Sequence, residues 1–77
     1  MIRRLNQLEV GQQGILAAEP MEGERGQRFR DMGLIPGVAI TVMGRSPMGD
    51  LLSLRLMGTT VALQNEDAED MSVILTD

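Results

Sequence analysis

The feature that most constrains this chain is a change of hydrophobic period at Gly37. Beyond it, apolar residues recur at every second position: Val38-x-Ile40-x-Val42, Leu52-x-Leu54-x-Leu56, Val61-x-Leu63 and Met71-x-Val73-x-Leu75. Such alternation lines one face of a pleated strand and leaves the other to water. Turn residues separate the runs. Ser46-Pro47-Met48-Gly49-Asp50 reads as a five-residue hairpin loop. Met57-Gly58-Thr59-Thr60 reads as a tight turn with Gly58 at its first central position, which makes it type II′. Asn65 is placed to cap a helical turn through Glu66, Asp67, Ala68 and Glu69.

Before Gly37 the signals are of a different kind. Leu5-x-x-Leu8-x-x-Gly11-x-x-Gly14 is turn-rich, with two leucines that can share a side, and Met1 to Leu5 reads as a frayed, solvated terminus carrying Arg3 and Arg4. The run Gly14 to Glu19 reads as a strand stopped at Pro20, which cannot donate to a ladder. From Glu22 to Met32, Arg25, Phe29 and Met32 fall at i, i+4 and i+7, the spacing of one helical face. Glu22 and Glu24 suit the positive end of a helix dipole, while Gly23 and Gly26 restrict the helix to two or three turns. Its end is well marked: Gly33 at the left-handed cap, Leu34 as the returning apolar residue, and Pro36 forbidding continuation. Pro36-Gly37 suits the centre of a type II turn.

This predicts five strands, one short helix after the first and a helical turn before the last. In 77 residues, five short strands cannot form two sheets that each bury a core. Curling into one barrel deals with the sheet edges. The expected fold is mainly β: a small SH3-like five-stranded barrel, as a single domain over residues 1–77.

Composition narrows the function. The chain has no Cys and no His, which removes soft-ligand metal sites, disulfides and Cys or His catalysis. Phe29 is the only aromatic residue, so no base-stacking platform exists. Seven arginines, no lysine and eleven acids give a net charge of −4, the wrong sign for a general nucleic-acid or anionic-membrane binder. No stretch is long and apolar enough for a signal peptide or a membrane span. The expectations are a cytoplasmic, non-enzymatic protein with no cofactor, no nucleic-acid partner and no membrane insertion.

Three groups of side chains remain as candidates. Glu66, Asp67, Glu69 and Asp70 could hold a hard cation, but they lack the spacing of a calcium loop and read better as a solvated helical turn. Arg25, Arg28 and Arg30 suit phosphate, or entry into a partner's nucleotide site. They equally suit a helix face paired with Glu22, Glu24 and Asp31, with Arg28–Asp31 at i, i+3, and that reading takes precedence. Met43 and Met57 on outward positions, Met48 at a loop tip and Leu51 at the loop base cluster around one hairpin, where flexible thioethers suit a protein interface. The expected partner-interface residues are therefore Arg25, Arg28, Met43, Met48, Leu51 and Met57.

Taken in order, Leu5-x-x-Leu8-x-x-Gly11, Arg28-Phe29-x-x-Met32-Gly33-Leu34-x-Pro36-Gly37, Ser46-Pro47-Met48-Gly49-Asp50, Val61-Ala62-Leu63 and Ala68-x-x-Met71-x-Val73 resemble the ferrous iron transport protein A family (FeoA). The match spans nearly the whole chain, and the Met-Gly-Leu-x-Pro-Gly stretch with the Pro-x-Gly-Asp loop carries most of its specificity. Phe29 stands where the family more often has Leu, which implies a bulkier helix contact. The resemblance implies an SH3-like barrel with an inserted helix. It also implies a cytoplasmic accessory role in bacterial ferrous iron uptake, through a membrane transporter that carries a cytoplasmic G-protein domain. The same domain type ends iron-dependent transcriptional repressors, so a detached metal-sensing domain is the alternative. No DNA-binding domain precedes it here, which favours the free-standing reading.

Overall fold

Each alternating run forms a strand with its apolar side inward. In the computed structural model, which describes residues 1–17 and 22–76, these are β3 (Ala39–Arg45), β4 (Leu51–Leu56), β5 (Thr59–Gln64) and β6 (Ser72–Leu75). They join β1 (Ile2–Arg4) and β2 (Gln13–Leu16) in one antiparallel sheet of order β1-β6-β2-β3-β4-β5. A 3-10 turn at Leu5–Gln7, α1 (Gly23–Asp31) and α2 (Asn65–Ala68) complete the fold. The inward set, including Ile40, Val42, Leu52, Leu54, Leu63 and Val73, makes one core with Phe29 of α1 and with Leu5 and Leu8 from the opening turn.

Six strands therefore stand where five were expected. The extra one is β1, in the stretch read as a frayed terminus: Ile2 lies opposite Ile74 and Arg4 opposite Ser72. All three of its residues are exposed, so no apolar alternation marks it. It forms because β6 offers a free edge and because Leu5, buried just after it, anchors the chain through Leu5 N–H to Met71 O at 2.8 Å. The ladders run from β1 to β5 without joining those two ends among the described residues. The expected strand end at Glu19 and Pro20 lies outside the described residues.

Local chemistry accounts for the rest. The helix closes as expected: Gly33 has φ +95°, its N–H donates to Arg30 O and Leu34 N–H donates to Phe29 O, with Leu34 fully buried. Gly37, at φ +92°, completes the Pro36-Gly37 turn, closed by Val38 N–H to Ile35 O. The five-residue loop 46–50 is also as expected. Ser46 Oγ donates to Asp50 Oδ1 at 2.6 Å and accepts from Leu51 N–H at 3.1 Å. Two turn expectations need correction. Leu56 pairs with Thr59, so Met57-Gly58 is the central pair, with φ of +48° and +75°; this is type I′, not II′. The residue before α2 is Gln64, and Asn65 is its first helical residue rather than its cap.

Candidate functional site

Arg25 decides how the charged residues are shared out. Its Nη2 lies 2.6 Å from Asp67 Oδ1 and 3.1 Å from Asp70 Oδ2, and its Nε donates to the same Asp67 oxygen at 3.1 Å. Its guanidinium also sits 5.7 Å from the Phe29 ring centroid. Asp67 is only 7 % exposed, so α2 needs this partner to bury it. The hydrogen bond to Asp67 is the main cause that raises the Arg25 pKa above its ordinary value; desolvation opposes it and Asp70 adds to it. Arg25 thus ties α1 to α2. It is an anchor within the fold, and the pairing expected with its own helix is replaced by a pairing across 42 residues of sequence.

The acidic run is explained by the same contact. Asp67 and Asp70 face Arg25, Glu66 and Glu69 are exposed, and among the described residues no three acidic side chains converge as a metal site would need. Arg28 differs from Arg25. It is exposed, 5.9 Å from the Phe29 ring centroid, and has no ion pair among the described residues. The Arg28–Asp31 pair is absent from them too, since Asp31 accepts from Gln27 Nε2 at 3.0 Å instead. Arg28 lines an open cleft with Glu24, Gln64 and Glu66, between α1 and the end of β5.

The methionines do not form one patch. Met48, 89 % exposed, and Leu51 share an open concavity with Asp50, Gln64 and Asn65 at one end of β4. Met57, 69 % exposed, sits at the other end, about 17 Å away at roughly 3.3 Å per residue. There its side chain crowds over Gly33: a Cβ added to Gly33 would lie 2.8 Å from Met57 Cε.

Met43 is the extra residue of a bulge between Val42, opposite Leu54, and Gly44, opposite Ser53. That insertion has a consequence that sequence alternation missed. It places Arg45 opposite Leu52, in the inward phase, where it donates to Asn6 O at 2.7 Å and to Leu8 O. Gly44 inside a strand run was the available signal. The predicted interface residues thus fall on four places: Arg25 and Arg28 at the α1 cleft, Met48 and Leu51 at the loop corner, Met57 beside Gly33, and Met43 at the bulge of β3.

A small SH3-like β domain with short helices packed on one sheet is the class these features define. The family model described as the FeoA domain matches residues 3–75, and the chain belongs to that family. The Fe(2+) transport protein A/Fe(2+) transporter FeoB fusion protein of Porphyromonas gingivalis is 33 % identical over 72 residues, covering 94 % of this chain but only 8 % of that protein. A FeoA-like protein from Clostridium acetobutylicum is 30 % identical, with a TM-score of 0.85 over 95 % of this chain and 85 % of its own. A Stenotrophomonas maltophilia FeoA, described as an SH3 domain protein and complexed with zinc, is 19 % identical, with a TM-score of 0.70 over 99 % and 89 % of the two chains, and shares the fold. No helix among the described residues is long and apolar enough to cross a membrane.

Proposed function

We propose that this chain is an accessory domain of ferrous iron uptake. It docks on the cytoplasmic face of the iron transporter that carries a G-protein domain, and modulates or assembles it without catalysing a reaction. The supporting observation is the fusion relative, in which a domain 33 % identical to this one belongs to the same polypeptide as the transporter. Joining two domains in one chain makes their contact intramolecular and raises its effective concentration into the millimolar range, a benefit that exists only where the two domains have a contact to make. The available surfaces, namely the α1 cleft, the loop corner and Met57, suit contact with a macromolecule.

The test is co-purification. Membranes containing the transporter are solubilised in mild detergent and passed over the immobilised chain, with an unrelated SH3-like domain of similar net charge as control. Retention of the transporter by this chain alone is the expected result. Equal recovery on both columns, with and without guanine nucleotide, overturns the reading.

A further inference from the structure

The two free edges of the sheet are finished differently. β1 is three residues long and two of them are arginines. Short length and charge are the usual means of keeping other strands off an edge. β5 reads Thr59-Thr60-Val61-Ala62-Leu63-Gln64: six residues without a charge, a proline or a glycine, in unbroken register with β4. Nothing in its sequence guards it.

The phase of its hydrogen bonds shows which backbone groups are open. In a two-residue hairpin the closing pair, here Leu56–Thr59, bonds across the ladder, and bonded and non-bonded pairs alternate from there. Asn65 N–H to Asp50 O at 2.8 Å falls in that phase at the far end. Thr60, Ala62 and Gln64 therefore turn their N–H and C=O groups away from β4. All three residues are exposed; the N–H and C=O groups of Thr60 and Ala62 and the N–H of Gln64 bond to no other described residue, while the Gln64 C=O begins the turn of α2. The result is a row of donors and acceptors every second residue, about 6.8 Å apart, which is a template for one more strand.

Charge indicates the occupant. Arg55 lies across the ladder from Thr60 and is exposed without an ion pair among the described residues. Arg28, also without an ion pair there, shares the α1 cleft with Gln64 and with Glu24 and Glu66, so Arg55 marks the more strongly cationic end of the edge. A chain with net charge −4 thus leaves one unpaired cation near each end of its unguarded edge. We propose that the β5 edge takes up an extended segment of the docking partner as an additional strand, with carboxylates of that segment meeting Arg55 and Arg28. The partner's identity as the transporter rests on the function proposed above; the edge and its acidic occupant rest on this geometry. A second copy is the competing occupant: antiparallel pairing about Ala62 would set Thr60 opposite Gln64 of the other copy and bring the Arg55 end of one towards the cleft of the other, where Glu24 and Glu66 lie beside Arg28.

The test uses the full chain and the detergent-solubilised transporter. Ala62→Pro removes an outward-facing N–H without costing a bond to β4, so it blocks strand addition while sparing the hairpin. Its affinity for the transporter is expected to fall by about tenfold or more. Arg55→Glu and Arg28→Glu are each expected to weaken binding about threefold or more, with the difference shrinking at high salt. Wild-type affinity in a folded Ala62→Pro variant overturns the proposal. Should that variant fail to fold, amide exchange in the wild-type chain decides: Thr60, Ala62 and Gln64 gain protection on binding, and unchanged exchange at all three overturns it. A dimer that Ala62→Pro dissolves while transporter binding persists assigns the edge to a second copy and also overturns it. Failure of the unmodified chain to bind at all is a different result, and it removes the docking function itself.

Discussion

The two sides of the sheet are held by different means. On the β1 side, β6 lies between β1 and β2 and pairs with both. Its approach to β2 is so close that a Cβ on Gly14 would lie 2.8 Å from Ile74 O and would overlap the Val73 side chain. Further bonds extend those ladders, from Ala17 N–H to Ser72 O and from Leu75 N–H to Met1 O. On the other side, β5 pairs with β4 alone, and the chain after it is held by the ion-pair cluster of Arg25, Asp67 and Asp70 together with the buried Ala68 and Met71. The first side is closed by contact and the second is left open. The difference teaches that a charge near a surface acquires its meaning from its partner in the fold: Arg25 and Arg28 are three residues apart, yet one is engaged internally and the other is not.

The largest effect is expected where the closed side is tightest. Gly14→Ala pushes a methyl group against the β6 backbone, which cannot yield as a flexible side chain would. A loss of about 3 kcal/mol follows for overpacking of this kind. For a domain of this size that lowers Tm by roughly 15 °C, measured by circular dichroism. Gly44→Ala, where the added atom meets nothing within 4 Å, is the control and shifts Tm by about 2 °C at most. Equal melting of the two variants would remove the tight β2–β6 contact as the reason for the closed side.

The corner beside the open edge comes next. Asp67→Ala takes away the carboxylate that holds both Arg25 nitrogens, and Tm is expected to fall by about 5 °C. Asp70→Ala, whose side chain is 54 % exposed, is expected to cost less than half of that. If both variants melt with the wild type, β5 does not depend on the α1–α2 contact.

Much of this arrangement could be read from the residues, and the exceptions have physical causes. The Gly33 cap, the Pro36-Gly37 turn, the 46–50 loop and four of the strands follow from local rules, because each is decided within a few residues. β1 was hidden because a strand with all its residues exposed has no periodicity to detect. The bulge at Met43 was hidden because it is defined by the partner strand, and with it went the role of Arg45. The candidate site was legible in residue type but not in arrangement. Arg25 and Asp67 were both singled out, yet nothing local shows that a helix and a turn so distant in sequence meet. Met48 and Met57 flank one strand in sequence but lie at opposite ends of it.

The hairpin turn that leads into β5 offers a smaller effect of opposite sign. Met57 holds φ +48°, a region that disfavours side chains other than Asn, Asp or Gly. Met57→Asn relieves that conformation and is expected to stabilise by about 0.5–1 kcal/mol, raising Tm by roughly 4 °C. If the same variant also binds the transporter more weakly, the strained methionine is kept for contact and not for folding. If stability falls instead, the packing of Met57 over Gly33 outweighs the backbone cost.

The smallest expected change is a null result with a definite sign behind it. The Arg25 pKa is raised in the folded chain, chiefly by the hydrogen bond to Asp67. A group whose folded pKa lies above its unfolded one contributes stability that is fully present below the unfolded pKa and is lost only as pH rises through the folded value. For an arginine both lie far above neutrality. The Tm difference between the wild type and Arg25→Gln is therefore expected to stay constant between about pH 6 and pH 9, while added salt reduces it because the pair is partly exposed. A difference that changed across that window would mean that some other group titrates at the corner, and the open side of the sheet would then be responsive to pH where the closed side is not.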